Sequence, residues 1–261
     1  MKGKESDWQV AKHDKLDPMW IVLLIFCQFN LEPHSEVVQT WRAYLLETRA
    51  EPTQRALKRS EFYVPRFKRI FKDHGVPENL VWVALVESGF KPSDSNPSGA
   101  QGMFQFKTET AVAFGLVVDG HRDERNNPFR AADACAKYLS YLFEKFGSWD
   151  LALAAYNLGE GDLRRAMALH GSQWHQVRDF LREETQAFVP KIKAAALIGN
   201  DYLAQRPVRT KPVHEYLVKP GDTLYSIAKL FEWDVEELME FNGIDDNTID
   251  IDQVIVIPVR E

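Results

Sequence analysis

From about Ser35 to Gln205 apolar residues recur at three- and four-residue spacings, in segments such as VVQTWRAYLL and FYVPRFKRIF. That is the period of helices with one buried face. Pro65, inside the second segment, is expected to mark a helix start or a bend. Asn127 followed by Pro128 reads as a cap and first turn for FRAADACAKYLSYLFEKF, which stops at Gly147. Ser148 then caps WDLALAAYN, with Asp150 in its first turn. No alternating strand pattern of useful length precedes residue 213.

The period changes near the C-terminus. Residues 204–213, AQRPVRTKPV, hold two prolines and three cations without apolar periodicity and read as a linker. Beyond it HEYLV is β-like, PGDT is a turn and helix start, LYSIAKLF and DVEELMEFN are short amphipathic helices, and IDQVIVIP closes as a strand. A length of 261 residues with 45% hydrophobic content suits one ordinary domain plus this small one. The expected division is an apolar N-terminal segment over 1–34, a helical domain over 35–203, the linker, and a βααβ module over 214–258.

Charge separates the same parts. From Pro212 to Glu261 twelve Asp and Glu face three Lys and Arg, a net of −9, and because the whole chain carries −6 the rest is mildly basic at +3. An acidic module on a mildly basic body argues against nucleic acid as the partner. Cys27 and Cys135 have no metal-site or disulfide spacing and read as unpaired thiols. Neither a metal cluster nor a phosphate-cradling or nucleotide motif is found, so no cofactor is expected. Met19 to Phe29, MWIVLLIFCQF, is too short to span a membrane and fits the apolar core of an export signal or a membrane anchor. The mixed charge of KHDKLDP before it leaves an apolar segment packed on the domain as the alternative.

Candidate chemistry centres on VWVALVESGFKPSDSNPSGAQGMFQF, residues 81–106. On a helix Leu80, Val83, Ala84 and Glu87 share one face, so the Glu87 carboxyl is partly withdrawn from water. Desolvation raises a carboxyl pKa, which a general acid working near neutrality requires. Taken alone, a helix-end glutamate turned to solvent or paired with an arginine explains the residue as well. The glycines of the flanking loops, Gly99, Gly102, Gly159 and Gly161, permit positive φ or close approach of backbone to a sugar, and also suit ordinary turns.

The segment resembles the soluble-type lytic transglycosylase family and is similar to its membrane-bound murein transglycosylase D type. The resemblance runs from Tyr63 to Ala195. It is carried in order by Glu87-Ser88-Gly89-Phe90, Pro92, Gly99-Ala100, Gly102-Met103-Phe104-Gln105, Thr110, Gly115-Leu116, Asp123-Glu124-Arg125, Ala154-Ala155-Tyr156-Asn157, Glu184-Thr185 and Phe188-Val189-Pro190. It implies a mainly α, lysozyme-like catalytic domain acting on peptidoglycan glycan strands. Glu87 would be the single catalytic acid/base. Asn96, Gly102, Met103, Gln105, Tyr156, Asn157 and Glu184 would bind substrate.

Two of these keep bland alternatives: Tyr156 as a core aromatic, and Glu184 as a helix-start acid complementing the helix dipole. Three positions depart from the family pattern. Asn96 replaces a serine, Phe104 replaces tryptophan, and Asp94 stands where a small residue is usual. By resemblance the glutamate protonates the leaving oxygen, then as a base helps the sugar's own 6-hydroxyl close a 1,6-anhydromuramyl ring. A second carboxylate is then unnecessary, whereas a hydrolase uses two. Asp94 is the candidate for restoring the hydrolytic pair, and its Pro-Ser-Asp-Ser setting also suits local backbone hydrogen bonds.

HEYLVKPGDTLYSIAKLFEWDVEELMEFNGIDDNTIDIDQVIVIP resembles a LysM domain, carried by Tyr216-Leu217-Val218, Gly221-Asp222-Thr223-Leu224, Ile227-Ala228, Asn242-Gly243 and Ile255 to Pro258. That implies a shallow groove for N-acetylglucosamine-containing glycans, formed by Gly221, Asp222, Thr223 and Leu224 and by the segment after Asn242. Asp252 stands where a glycine is common. A flexible linker would then join a cutter to a binder and raise the local glycan concentration. The expected protein is a monomeric cell-envelope enzyme, periplasmic or anchored to the membrane by its N-terminal segment. A non-catalytic murein-binding protein and a hydrolytic muramidase are the alternatives.

Overall fold

One long helix organises the larger domain: Ala50–Asp73 (α2) buries Ala56, Leu57, Ser60, Tyr63, Val64, Phe67 and Phe71 on a single face. This computed structural model describes residues 28–119, 122–206, 213–244, 247–249, 251 and 253–259. The apolar run up to Cys27, residues 207–212 of the linker, and Asp252 lie outside the described residues. Helix α2 continues through Pro65, so the proline does not mark a helix start. A proline removes one helical N–H and one bond; burial of Tyr63, Val64 and Phe67 around it outweighs that loss.

Before α2 come Glu36–Ala43 (α1) and one π-helical turn, Tyr44–Thr48. After it follow a 3-10 turn, Glu78–Trp82, and the short helices Val83–Ser88 (α3) and Thr108–Ala113 (α4). Pro128–Phe146 (α5) begins as expected: Asn127 accepts hydrogen bonds from the amides of Phe129 and Arg130, and Gly147 ends it at φ +68°. Trp149–Leu158 (α6), Glu160–His170 (α7) and Trp174–Val177 (α8) lead to Glu183–Ala204 (α9). Ser148 occupies the cap position of α6 but its side chain makes no capping bond. Asp150 pairs instead with buried Lys193 of α9 at 3.0 Å, and Glu32 joins the same ammonium. Helix α9 packs against α1, α3 and α6 and so backs the floor on which the site is built.

The smaller module is an antiparallel pair, Val213–Leu217 (β1) and Val254–Pro258 (β2), in the register Val213 opposite Pro258 and Leu217 opposite Val254. Between them lie Leu224–Leu230 (α10), started by a Thr223–Ser226 capping box, and Val235–Asn242 (α11), capped by Asp234. Strand β2 is buried along its whole length, and its side chains alternate between two cores. Ile255 and Ile257 join Leu224, Ile227 and Leu238 inside the module, while Val254 and Val256 belong to the core of the large domain. This accounts for the unbroken apolar run VIVI. The module therefore packs on the helical domain, a relationship that the expected flexible tether does not contain. No described helix is long and apolar enough to cross a membrane.

Candidate active site

Glu87 sits in the last turn of α3. The single helical face expected for residues 80–87 is realised in two parts, a 3-10 turn and then α3, with Leu80, Val83 and Ala84 fully buried and Glu87 half-buried. The chain reverses immediately afterwards, with Gly89 at φ +64° and Phe90 at φ +61°. A phenylalanine in the left-handed region costs free energy. Here its ring is wholly buried, stacked near Tyr63 and edge-on to Trp82, and that packing holds the turn. Ser88 Oγ donates to the carbonyl of Met103 at 2.8 Å, tying the end of α3 to the loop of residues 94–106.

Backbone and side-chain bonds rather than regular structure hold that loop. The Gly102 amide donates to Asp94 O at 2.7 Å. Gln105 Nε2 donates to Asp94 O and Gly102 O, and Gln105 Oε1 accepts from Asn96 Nδ2 at 2.8 Å. Arg125 donates to the carbonyls of Gly99 and Phe106. Gly102 is required: at φ +80° its missing Cβ would lie 1.9 Å from the Arg125 carbonyl oxygen. The Tyr156 hydroxyl donates to Phe104 O at 2.6 Å, and the Cys135 thiol lies 3.9 Å from that hydroxyl. Asn157 links α6 to α9, donating weakly to Glu184 at 3.4 Å and accepting from Thr185 Oγ1 at 2.7 Å.

The Glu87 carboxyl has no hydrogen-bond or ion-pair partner among the described residues. Burial pushes its pKa from the ordinary 4.5 up to about 8, the negative charge of Glu184 adds to the rise, and the Lys191 ammonium opposes it. Lys191 is itself lowered by burial, against the pull of Glu184 and Glu87. The carboxyl opens onto a groove of about 760 Å³ whose lining includes Ser88, Lys91 and Asp94, Arg49 and Arg59, and Lys191. Glu240 and Gly243 of the small module line it too. A protonated carboxyl without a partner, in a groove of this size, can donate a proton to a ligand and take one back. Among the described residues no cluster of ligating side chains could hold a metal ion.

The expected site residues divide into three groups. Glu87, Glu184 and Tyr156 come together: both Tyr156 and Glu184 interact electrostatically with Glu87. Asn96, Gln105 and Asn157 form the polar framework just described, outside the lining of the groove. Met103 and Gly102 are buried, and Met103 offers the site only its backbone carbonyl. In the module, Gly221 and Thr223 are exposed, Asp222 accepts from Tyr216 Oη and the Lys219 amide, and Leu224 is core. Asn242 is also buried, its amide spent on Leu238 O and on the backbone N–H and C=O of Val256. Its side chain therefore cannot reach a sugar, and Leu224 serves the core. Lys191 was missed, although its place seven residues after Glu184 puts both on one face of α9.

Residues 67–177 match the family described as the Transglycosylase SLT domain, and residues 216–258 match the LysM domain. The peptidoglycan transglycosylase gp16 of Escherichia phage T7 is 44% identical over 100 residues, which is 37% of this chain and 8% of the phage protein. Membrane-bound lytic murein transglycosylase D of Escherichia coli is 30% identical over 141 residues, 52% of this chain and 31% of that protein. The chain thus spans less than a third of these curated relatives. A solved complex of a 70-kDa soluble lytic transglycosylase with bulgecin A shares the fold, with a TM-score of 0.51 at 18% identity, over 80% of this chain and 39% of that one.

Proposed function

We propose that this chain, an SLT domain followed by a LysM domain, is a peptidoglycan lytic transglycosylase of the cell envelope. It cleaves the β-1,4 bond between N-acetylmuramic acid and N-acetylglucosamine with Glu87 as its single acid/base. The observation that carries the reading is the half-buried Glu87 carboxyl, which lies within the matched segment, has no partner among the described residues, has its pKa pushed up to about 8 and opens onto a groove. At neutral pH it holds the proton that a glycosidic oxygen needs in order to leave.

In the first half of the reaction Glu87 gives its proton to the bridging oxygen, the bond from that oxygen to the anomeric carbon breaks, and the N-acetyl group stabilises the cationic sugar. In the second half the ionised Glu87 takes the proton of the same sugar's 6-hydroxyl as that oxygen bonds to the anomeric carbon. The products are a free 4-hydroxyl and a 1,6-anhydromuramyl end, and no water is consumed. Glu184 favours the protonated state before the first transfer, and Lys191 favours the carboxylate after it. The Tyr156 hydroxyl and the Asn96–Gln105 pair hold the loop that Ser88 ties to the helix of the acid.

Asp94 in the groove lining supports a second reading, hydrolysis by a carboxylate pair. Against it, the acidic charge that acts on Glu87 is that of Glu184. The module would bind the glycan through the exposed Gly221–Thr223 turn. The test is a murein zymogram of the chain and of Glu87→Gln. The reading expects clearing by the former and none by the latter, because the amide keeps the shape and has no proton to give. Clearing by Glu87→Gln would remove Glu87 from the role.

A further inference from the structure

The module is seated by side chains that its own core does not use. Phe241 of α11 packs edge-on against Phe62 of α2, with centroids 4.2 Å apart, and lies 6.1 Å from Tyr63. Arg59, buried on the same face of α2, donates from Nε to Gly89 O at 2.9 Å and from Nη1 to Glu240 O at 3.4 Å. It thereby joins the end of the Glu87 helix to the end of α11. Gln253 Nε2 donates to Ser93 Oγ at 2.8 Å, and Arg66 pairs with Glu215 at 2.8 Å. Gly243 closes the contact: a Cβ there would lie 2.5 Å from Lys91 Cγ and 3.1 Å from Lys91 Cα. Only glycine lets the segment after Asn242 rest on the strand of chain that leaves the catalytic turn. Half-buried aromatic packing, two buried valines and a glycine-tight approach describe a fixed interface.

That interface places the module at the reacting groove. Glu240 and Gly243 share its lining with Glu87 and Lys91, and the segment after Asn242 is one of the two expected to meet a glycan. We propose that the LysM domain is a wall of the cleavage groove, so that one glycan strand is held in a single track by both domains and the module sets the strand length cleaved best. The proposal rests on the reading of the Glu87 groove as the site of glycan cleavage.

The test uses the full chain and two variants on opposite sides of one contact, Phe241→Asp and Phe62→Asp, neither of which lines the Glu87 groove. Each is assayed on soluble, uncrosslinked murein glycans of graded length, and domain separation is read by small-angle scattering. The expected result is a compact unvaried chain whose kcat/KM climbs with strand length. Both variants should be extended, cleave the shortest substrate at the unvaried rate, and lose about tenfold on long strands. Separated domains in the unvaried chain, or undocked variants that keep the full length dependence, would overturn the proposal. Failure of the underlying reading looks different: the unvaried chain then cleaves no strand of any length while scattering still shows docked domains, and the proposal falls with it. If one variant fails to fold, the other carries the same comparison.

Discussion

Glu184 and Lys191 lie two turns apart on one face of α9 and act on the Glu87 proton in opposite directions, Glu184 holding it on and Lys191 easing it off. A carboxyl that must be acid first and base second needs its pKa above neutrality without being locked there. In the proposed reaction the opposed pair would provide that balance. Glu184→Gln should move the alkaline limb of the kcat/KM profile to lower pH, and Lys191→Met should move it to higher pH. Each shift should be about half a pH unit, the scale of partly solvated charges. A pH series on soluble glycan measures both, and shifts of the same sign would remove the pair from the mechanism.

Stability should carry the mark of the same group. Glu87 is raised from 4.5 to about 8 in the folded chain, so the native state binds the proton more tightly than the unfolded state does. The stabilisation is complete below pH 4.5 and is lost as pH rises through about 8. Glu87→Gln does not titrate, so its advantage over the unvaried chain should grow across that window. At pH 9 it should reach on the order of 2 kcal/mol after allowance for groove water. Thermal melts at pH 5 and pH 9 would show it as a gain of about 5 °C at the higher pH only.

Tyr156→Phe removes the hydroxyl that donates to Phe104 O. Loss of one such bond costs about 1 kcal/mol, a small change in melting temperature. Because the bond anchors the loop that Ser88 ties to the Glu87 helix, turnover should fall by about tenfold. Unchanged turnover beside a large loss of stability would assign Tyr156 to the core.

Gly102→Ala should be worse for stability than its size implies. The new methyl would meet the Arg125 carbonyl at 1.9 Å in a residue at φ +80°, and strain plus overpacking should cost about 3 kcal/mol. Urea titration measures it, and a cost below about 1 kcal/mol would show that the loop has other ways to close.

Local signals were legible in the sequence. The Asn127–Pro128 cap, the Gly147 stop, the small-module order of strand, helix, helix, strand, and Glu87 at the end of an apolar stripe all depend on neighbours within a turn or two. What escaped depends on distant partners. Pro65 sits mid-helix because the buried face of α2 runs past it on both sides. Met103, Leu224 and Asn242 lie in motifs that suit a ligand, yet their side chains are consumed by the fold. The doubly buried strand β2 read as an ordinary closing strand because VIVI looks alike whether one or two cores receive it. Docking of the module had no local signature beyond Phe241 and Gly243, whose partners are far away in the chain.

The central claim is that one carboxyl completes the cleavage without water, and the most direct measurement is product mass after digestion of purified murein in heavy-oxygen water. The account predicts 1,6-anhydromuramyl ends carrying no heavy oxygen. Reducing muramic ends, one water heavier and labelled at the anomeric position, would contradict it.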